Sequence, residues 1–299
     1  MDLTLLRTFL AVHRAGSFTR ASAALGLSQP AITAQIRTLE KHVGRQLFER
    51  LPRGVAPTGP ADDLARRIAP HLDAIEEITE RDIHGADPAR RTVHLAGPAE
   101  LTGQRVLPAL GDLIRRGLRL RVALGPGDEL LAGLAASRHD LVISDVRPRA
   151  RGITATPLTD EEYVLVGAPR WAARIPHQRI RARGATALVG APLIGEAEDQ
   201  PLIRRYWSTV FDAEPDTAAT LVVPDLRAVL ECVRAGVGIA VLPRYLCAEA
   251  LRNRSVTTLL EPELPPLNTV FLAVREGALS RPHIAHLHAE LLTRAARWE

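Results

Sequence analysis

The chain has 299 residues, of which 46% are apolar and 24% charged, a composition typical of a globular protein of two or three domains. Its two cysteines are too few for a disulfide framework, and no apolar run is long enough to cross a membrane. The first residues lack the basic and then apolar layout of a signal peptide. We therefore expect a cytoplasmic protein that makes no membrane contact.

Positive charge is concentrated at one end of the chain. The formal net charge is +4, yet residues 1–58 alone carry eight basic and three acidic side chains. A small basic segment joined to a nearly neutral body indicates a polyanionic partner, such as nucleic acid, for that segment.

Three short helices are predicted within the first 43 residues. Apolar residues recur at helical spacing over 3–12, where Asp2 and Gly16 are placed to begin and end a helix. A second helix over 18–25 is ended by Gly26. The third begins at a serine cap, has a proline in its first turn, and buries one apolar face up to about residue 43. Two short helices around a tight turn are typical of a helix-turn-helix, whose second helix enters the major groove of DNA.

The next segment predicts a β-hairpin, or wing. Leu47 and Phe48 form a short predicted strand, and a turn containing proline and glycine leads to a return strand. Arg50 and Arg53 in such a hairpin are placed to meet phosphates or the edge of the minor groove.

Four short runs carry a specific resemblance. GSFTRAS at 16–22, LSQPAIT at 27–33, QIRTLE at 35–40 and LFER at 47–50 together resemble the N-terminal signature of LysR-type transcriptional regulators. The resemblance covers the first 58 residues closely, and the length and layout of the remainder agree with it.

The resemblance implies an α/β protein in three parts. These are an N-terminal winged helix-turn-helix domain, a linker helix, and a two-lobed α/β effector domain resembling periplasmic solute-binding proteins. The implied boundaries are 1–58 for the DNA-binding domain, 59–88 for the linker/dimerisation helix and hinge, and 89–299 for the effector-binding domain. Within the last part, lobe I covers about 89–161 and 268–299, and lobe II about 162–267.

DNA reading is expected to depend on the start of the third helix. Ala34 stands where the family often has an arginine, and it cannot make a bidentate contact to guanine. Gln29 can pair with adenine, and Pro30 or Ala31 can touch a thymine methyl. Arg37 either reads a base or holds a phosphate, and the sequence leaves both roles open. The predicted DNA-binding residues are Ser17, Thr19, Ser28, Gln29, Pro30, Ala31, Thr33, Gln35, Arg37, Arg50 and Arg53.

An apolar stripe at helical spacing follows the wing. In the family this helix dimerises, and we expect a dimer or tetramer; packing back on its own domain is the alternative. Pro70 inside the helix predicts a kink or a delayed start, and residues 85–88 are the expected hinge. The stripe consists of Leu64, Ile68, Leu72, Ile75 and Ile78.

From residue 92 onward, apolar strands alternate with helical segments, which predicts an α/β fold with a mainly parallel sheet. The predicted elements include a helix from 98 to about 116, a strand over 163–166 and a helix that Asp225 caps. Two chain crossings, near 160–165 and 265–270, would leave a cleft between two lobes. The run GVGIAVLP at 236–243 is similar to a late motif of the family's effector domain.

The effector is expected beyond the carboxyl ends of the strands, among helix N-termini. Carboxylates in these loops favour an effector with a cationic or hydrogen-donating group over a simple dicarboxylate; the alternative is that they cap helices. The predicted effector-binding residues are Gly97, Ala99, Glu100, Thr102, Asp128, Gly195, Glu196, Asp199, Val223 and Asp225.

Other signals are weak. The motifs GxSxG, HExxH, Walker A and GxGxxG are missing, so we predict no enzyme, no cofactor and no metal. His283, His286 and His288 are spaced for a metal, but a solvated face is the alternative reading. Cys232 and Cys247 are expected to be inert, with a redox switch between them as the alternative.

These observations predict a regulator of LysR type that binds double-stranded promoter DNA and responds to a small-molecule effector. RNA polymerase would be a further partner if the protein activates transcription. Two other classes stay open, namely an effector-independent architectural DNA-binding protein and an enzyme on a solute-binding fold.

Overall fold

The computed structural model describes residues 2–51, 54–84 and 92–298. Three helices and an antiparallel hairpin come first, and a long helix follows them. These elements are α1 (Leu3–Ala15), α2 (Phe18–Leu25), α3 (Gln29–Val43), β1 (Phe48–Leu51), β2 (Gly54–Pro57) and α4 (Gly59–His84).

Local capping explains where the first helices begin and end. The side chains of Asp2, Ser17 and Ser28 accept hydrogen bonds from backbone N–H groups in the first turns of α1, α2 and α3. The first two helices end at Gly16 and Gly26, which adopt left-handed φ angles of 60° and 67°. The predicted helix-turn-helix and wing are therefore confirmed.

Helix α4 begins well before Pro70, so a delayed start at that residue is wrong. The start is explained by Thr58, whose hydroxyl accepts a hydrogen bond from the backbone N–H of Ala61 at 3.4 Å. The expected hinge at 85–88 lies outside the described residues.

One face of α4 packs into the core of the three-helix domain. Ala61, Ala65 and Ala69 are fully buried there, and Leu72 is 6% exposed. Small side chains at this spacing let the long helix lie close against its neighbours, so α4 begins as a part of the N-terminal core.

The chain folds into two compact units. Unit 1 comprises Met1–Leu158 and Phe271–Glu299, and unit 2 comprises Thr159–Val270. The strands and α-helices beyond α4 are β3 (Thr92–Gly97), α5 (Ala99–Leu101), α6 (Leu107–Ala109), α7 (Gly111–Arg115), β4 (Arg119–Leu124), α8 (Gly127–Ala135), β5 (Leu141–Ser144), β6 (Ile153–Gly167), α9 (Pro169–Arg174), α10 (His177–Arg183), β7 (Ile194–Gly195), α11 (Pro201–Phe211), β8 (Leu221–Val222), α12 (Leu226–Arg234), β9 (Ile239–Pro243), α13 (Arg244–Arg252), β10 (Thr257–Thr258), β11 (Leu267–Arg275) and α14 (Pro282–Ala295).

The sheet of unit 1 has the strand order β4-β3-β5-β11. Strand β3 runs parallel to β4 and β5, whereas β11 is antiparallel to β5. Leu130 and Leu134 of α8 cover one face, where they meet Ala96, Val142 and Ala273.

In unit 2, strand β6 pairs antiparallel with β9 and β10, and β7 pairs parallel with β8. Aromatic side chains of α11, among them Tyr206 and Trp207, fill the core on one side. Helices α12 and α13 contribute Val233 and Cys247 to a second cluster.

The α/β class is confirmed, but the sheets are mixed rather than mainly parallel. The long strands β6 and β11 carry the chain from one unit to the other, and their reversed directions make their pairings with β9 and β5 antiparallel. Strand β6 also begins at Ile153, well before the predicted 163–166.

The helix expected over 98–116 is broken. A π-helical segment, Thr102–Val106, follows α5, and short helices continue to Arg115. Pro108 has no N–H to donate, and its ring crowds the carbonyl four residues earlier, so a regular α-helix cannot pass through it.

Candidate nucleic-acid interface and ligand-binding loops

Helix α3 buries one face and exposes the other. Ile32, Ile36 and Leu39 are at most 2% exposed and anchor the helix to the domain. At its N-terminal end Gln29 and Pro30 are exposed, while Ala31 and Thr33 are half-buried and Arg37 is exposed further along. The outer face can therefore enter a groove without disturbing the core.

Several predicted interface residues have intramolecular partners that orient them. The Thr19 hydroxyl donates to Oε1 of Gln29 at 3.4 Å, and the Thr33 hydroxyl donates to the Gln29 carbonyl at 3.0 Å. Ser17 and Ser28 are helix caps, so their hydroxyls already hold backbone N–H groups. These contacts position Gln29 at the start of α3.

Gln35 faces inward instead. Its Oε1 accepts a hydrogen bond of 2.5 Å from the hydroxyl of Thr8, which is 1% exposed. This hydrogen bond joins α1 to α3 and gives Gln35 a structural role. The sequence does not reveal it, because a polar residue at this position could equally point outward.

The hairpin lies beside α2 and α3. A cavity of about 280 Å³ is lined by residues of all three, including Ser17, Gln29 and Gly54. Gly54 has φ of 107°, and a Cβ there would come within 2.7 Å of the Gly16 carbonyl oxygen, so only glycine fits. Arg53 lies outside the described residues, as does the side chain of Arg50.

The predicted dimerisation stripe is divided by the structure. Leu72 is buried in the domain's own core, and Leu64 and Ile68 pack partly against it. Ile75 is 44% exposed, and the side chain of Ile78 lies outside the described part of the chain. The alternative interpretation, that the stripe packs back on its own domain, therefore describes Leu72, whereas Ile75 lies outside that core.

The first of the loops predicted to bind the effector follows β3 in unit 1. Gly97 is buried, and a Cβ there would come within 2.5 Å of the Thr102 hydroxyl and 3.1 Å of Ile143. Thr102 is 0% exposed, and its hydroxyl has no hydrogen-bond partner among the described residues. Because a buried unpaired hydroxyl costs free energy, it marks a place where a ligand can supply the missing partner. Ala99 and Glu100 are half-buried nearby in sequence, and Asp128 is exposed at the start of α8.

The second loop follows β7 in unit 2. Gly195 is buried and Asp199 is exposed. Gln200 adopts a left-handed φ of 50°, is 5% exposed, and its Oε1 has no partner among the residues described. Gln200 is not among the predicted effector-binding residues, although it stands directly before Pro201 at the start of α11.

Two of the predicted acidic residues cap helices. Glu196 accepts a hydrogen bond of 2.8 Å from the Leu202 N–H at the start of α11, and burial raises the pKa of its carboxyl. Asp225 accepts from the Arg227 N–H at the start of α12, and hydrogen bonds from Arg227 lower its pKa. Both residues therefore follow the alternative interpretation, in which the carboxylates cap helices. Val223 is half-buried two residues before Asp225.

The secondary signals find no support in the described residues. No group of three metal-ligating side chains occurs among them, and His288 is buried while His286 is exposed. Burial raises the pKa of the Cys247 thiol to about 12, which makes the thiolate scarce at neutral pH. None of the helices described is long and apolar enough to span a bilayer.

Comparison with known proteins gives two family matches. Residues 3–61 match the model for the bacterial regulatory helix-turn-helix protein, lysR family. Residues 86–296 match the LysR substrate binding domain.

Similar proteins match along the chain as well. The HTH-type transcriptional regulator AbaB of Streptomyces antibioticus is 56% identical and covers 100% of both chains. A probable hydrogen peroxide-inducible genes activator of Mycobacterium avium is 31% identical over 83% of this chain and 80% of its own length.

Two solved structures share the fold. ArgP from Mycobacterium tuberculosis aligns with a TM-score of 0.74 at 22% identity, covering 99% of this chain and 98% of its own. Full-length LysG from Corynebacterium glutamicum with bound effector Arg aligns with a TM-score of 0.68 at 20% identity, covering 99% of both.

Proposed function

This chain belongs to the LysR family of transcriptional regulators, and on that premise we propose that the N-terminal turn of α3 reads the base edges of promoter DNA. In this proposal Gln29 is the principal base-reading side chain, and the exposed Arg37 contacts the duplex beside it. A regulator of this type acts where the chromosome is, so we place the protein in the cytoplasm.

The arrangement of α3 is the observation that supports base reading. Ile32 and Ile36 hold its inner face in the core. In the exposed first turn, the Gln29 side chain accepts a hydrogen bond from the Thr19 hydroxyl, and the Gln29 backbone carbonyl accepts one from Thr33. A glutamine held in this way loses less side-chain freedom when it pairs with adenine, and such a pair contributes about 1–3 kcal/mol of discrimination.

Binding to the DNA that flanks the protein's own gene tests this proposal. Affinity is measured at two salt concentrations against a scrambled duplex of the same composition. We expect a preference for the native sequence and a steep loss of affinity with salt for both duplexes. Equal affinity for the two duplexes would instead favour the architectural reading.

Two variants separate base reading from phosphate contact. Gln29→Ala should reduce the preference for the native duplex about tenfold while leaving the scrambled duplex unaffected. Arg37→Gln should weaken both duplexes equally and flatten the salt dependence if Arg37 holds a phosphate. A uniform loss in Gln29→Ala contradicts its base-reading role.

We also propose self-association through the exposed part of α4, as a dimer or tetramer that binds a partly palindromic site. Ile75, at 44% exposed, supports this because it is a large aliphatic side chain on the solvent-exposed part of α4. RNA polymerase is a proposed partner where the bound protein activates transcription.

For the effector, we propose a small molecule that carries a hydrogen-donating or cationic group. The unpaired Oε1 of Gln200 supports this, since a carbonyl oxygen can only accept a hydrogen bond. The acidic side chains support it less than their number suggests, because Glu196 and Asp225 are engaged as helix caps.

A ligand panel followed by thermal unfolding tests the effector class. Arginine, other basic amino acids and amines are compared with simple dicarboxylates. We expect the amino acids and amines to stabilise the protein and the dicarboxylates to have no effect. Thr102→Val removes the unpaired hydroxyl, so the ligand-free protein should be at least as stable as the wild type while the ligand-induced shift in the unfolding temperature falls. Stabilisation by the dicarboxylates alone contradicts the proposal.

We infer a regulator and not an enzyme, because the full-length relative at 56% identity is a transcriptional regulator. Turnover of a stabilising ligand by the purified protein would contradict this inference.

A further inference from the structure

A large cavity lies within unit 1, away from the loops after β3. Its volume is about 660 Å³, and it is enclosed by α1 and α2 on one side and by β3, β4 and the loop after α8 on the other. Helix α4 contributes Leu72 and Asp73. Both the DNA-binding domain and the α/β part of unit 1 therefore form its walls.

The cavity wall is strongly positive. Five arginines line it, and Asp73 is the carboxylate among the lining residues; they are Arg7, Arg14, Arg20, Arg121 and Arg138. Asp73 is already shared, since its oxygens lie 2.9 and 3.0 Å from Arg14 and 3.1 Å from Arg281. It therefore leaves little negative charge for the rest of the wall.

Arg20 of α2 and Arg121 of β4 both line the cavity, and Nη1 of Arg121 donates a hydrogen bond to the Leu120 carbonyl at 3.2 Å. Both are exposed, and no carboxylate in the described part of the chain lies within ion-pair distance of either guanidinium. Arg138 forms an ion pair with Asp62 at 3.5 Å. Several guanidinium groups that converge on one space repel each other unless an anion lies between them.

The chemistry of the wall identifies the class of anion. The planar guanidinium binds phosphate or carboxylate oxygens through two parallel hydrogen bonds. Arginines on opposite walls need acceptor oxygens that point in several directions, which a phosphate or diphosphate provides and a planar carboxylate does not. His94 and His139 also line the cavity and add ring nitrogens as hydrogen-bond partners.

We propose that this cavity binds a small molecule with a phosphate or diphosphate group, held between Arg20 of α2 and Arg121 of β4. This is a second ligand site in addition to the effector loops. Its occupant ties the DNA-binding domain to the α/β part of unit 1.

Calorimetric titration of the full chain with inorganic pyrophosphate, in the absence of DNA, tests the proposal. We expect saturable binding with one site per chain, and a loss of affinity of at least about tenfold in Arg20→Gln and in Arg121→Gln. Arg115→Gln is the matched control, because it removes the same charge from an exposed helix position of unit 1 outside the cavity.

Three results overturn the proposal. One is the absence of saturable binding to the wild type. Another is a loss of pyrophosphate affinity in Arg115→Gln equal to that in Arg20→Gln and Arg121→Gln, which indicates a diffuse attraction to the positive surface. The third is a loss in Arg37→Gln as large as in Arg121→Gln, which places the anion on the DNA-reading face.

Discussion

Arg14 of α1 donates two hydrogen bonds to the carboxylate of Asp73 on α4, at 3.0 and 2.9 Å. Asp73 also accepts from Arg281 at 3.1 Å, and Arg281 lies 3.4 Å from Asp140. Arg275, at the end of β11, is 3.5 Å from the same Asp140 oxygen. Five charged side chains thus connect the first helix, the linker helix and the α/β part of unit 1.

Removing the central carboxylate should destabilise unit 1. Asp73→Ala leaves Arg14 and Arg281 near each other without their shared partner, and we expect a loss of about 2 kcal/mol in the free energy of unfolding. Urea unfolding measures it. Asp63→Ala is the control, since its carboxylate pairs with Arg66 on the exposed side of α4 and should change stability by less than about 0.5 kcal/mol. Equal effects of the two variants would contradict the role of Asp73.

Stability should fall as the pH is lowered from about 6.5 towards 4. Burial, together with the charge of Arg138, lowers the pKa of His139 from 6.5 to about 4. Between these values the unfolded chain binds a proton that the folded chain does not, so acid favours unfolding, by at most about 3 kcal/mol for this residue. Burial lowers the pKa values of His13, His94 and His288 in the same direction.

Unfolding curves at several pH values check this expectation. His139→Asn should make the free energy of unfolding less dependent on pH between 6.5 and 4 than it is in the wild type. An identical slope in the wild type and His139→Asn would contradict the assignment.

Ile75→Asp should weaken self-association. A charge on this exposed position of α4 would have to be desolvated in a dimer interface, while the monomer should keep its fold. Light scattering measures the mass in solution. Ile114→Asp is a matched control, because Ile114 on α7 is 43% exposed and Ile75 is 44% exposed, and it should leave the mass in solution unchanged. An unchanged mass in Ile75→Asp would refute the linker interface.

Gly238→Ala should destabilise unit 2 by about 3 kcal/mol or more. An added Cβ would collide with the carbonyl oxygen of Pro192, which cannot withdraw because it accepts a hydrogen bond from Ile239 at 2.9 Å. Gly103→Ala is the control, as nothing lies within 4 Å of a Cβ there. Thermal unfolding checks both variants, and a wild-type midpoint in Gly238→Ala would contradict the clash.

Local features of this fold could be predicted because they depend on neighbouring residues. A capping serine acts on an N–H three positions away, so Ser17 and Ser28 mark the helix-turn-helix without any tertiary information. The start of α12 was predicted for the same reason, because the Asp225 carboxylate accepts a hydrogen bond from the backbone N–H of Arg227.

Long-range features could not be predicted in this way. Gln35 looks like an interface residue by its position, but its partner Thr8 lies on another helix. The burial of Leu72 depends on how α4 packs, and the unpaired oxygens of Thr102 and Gln200 depend on neighbours contributed by the surrounding fold. Hydrophobic periodicity specifies which face is apolar and not what covers it.

The order of synthesis gives the charged network a further consequence. Asp73 and Arg281 are separated by 208 positions, and Arg281 stands just ahead of the last helix. Since domains fold from the N-terminus as the chain emerges from the ribosome, α1 to α4 can assemble while Arg281 is still missing. A nascent chain therefore carries a formed helix-turn-helix whose Asp73 is held by Arg14 alone, and only translation of the final residues completes its attachment.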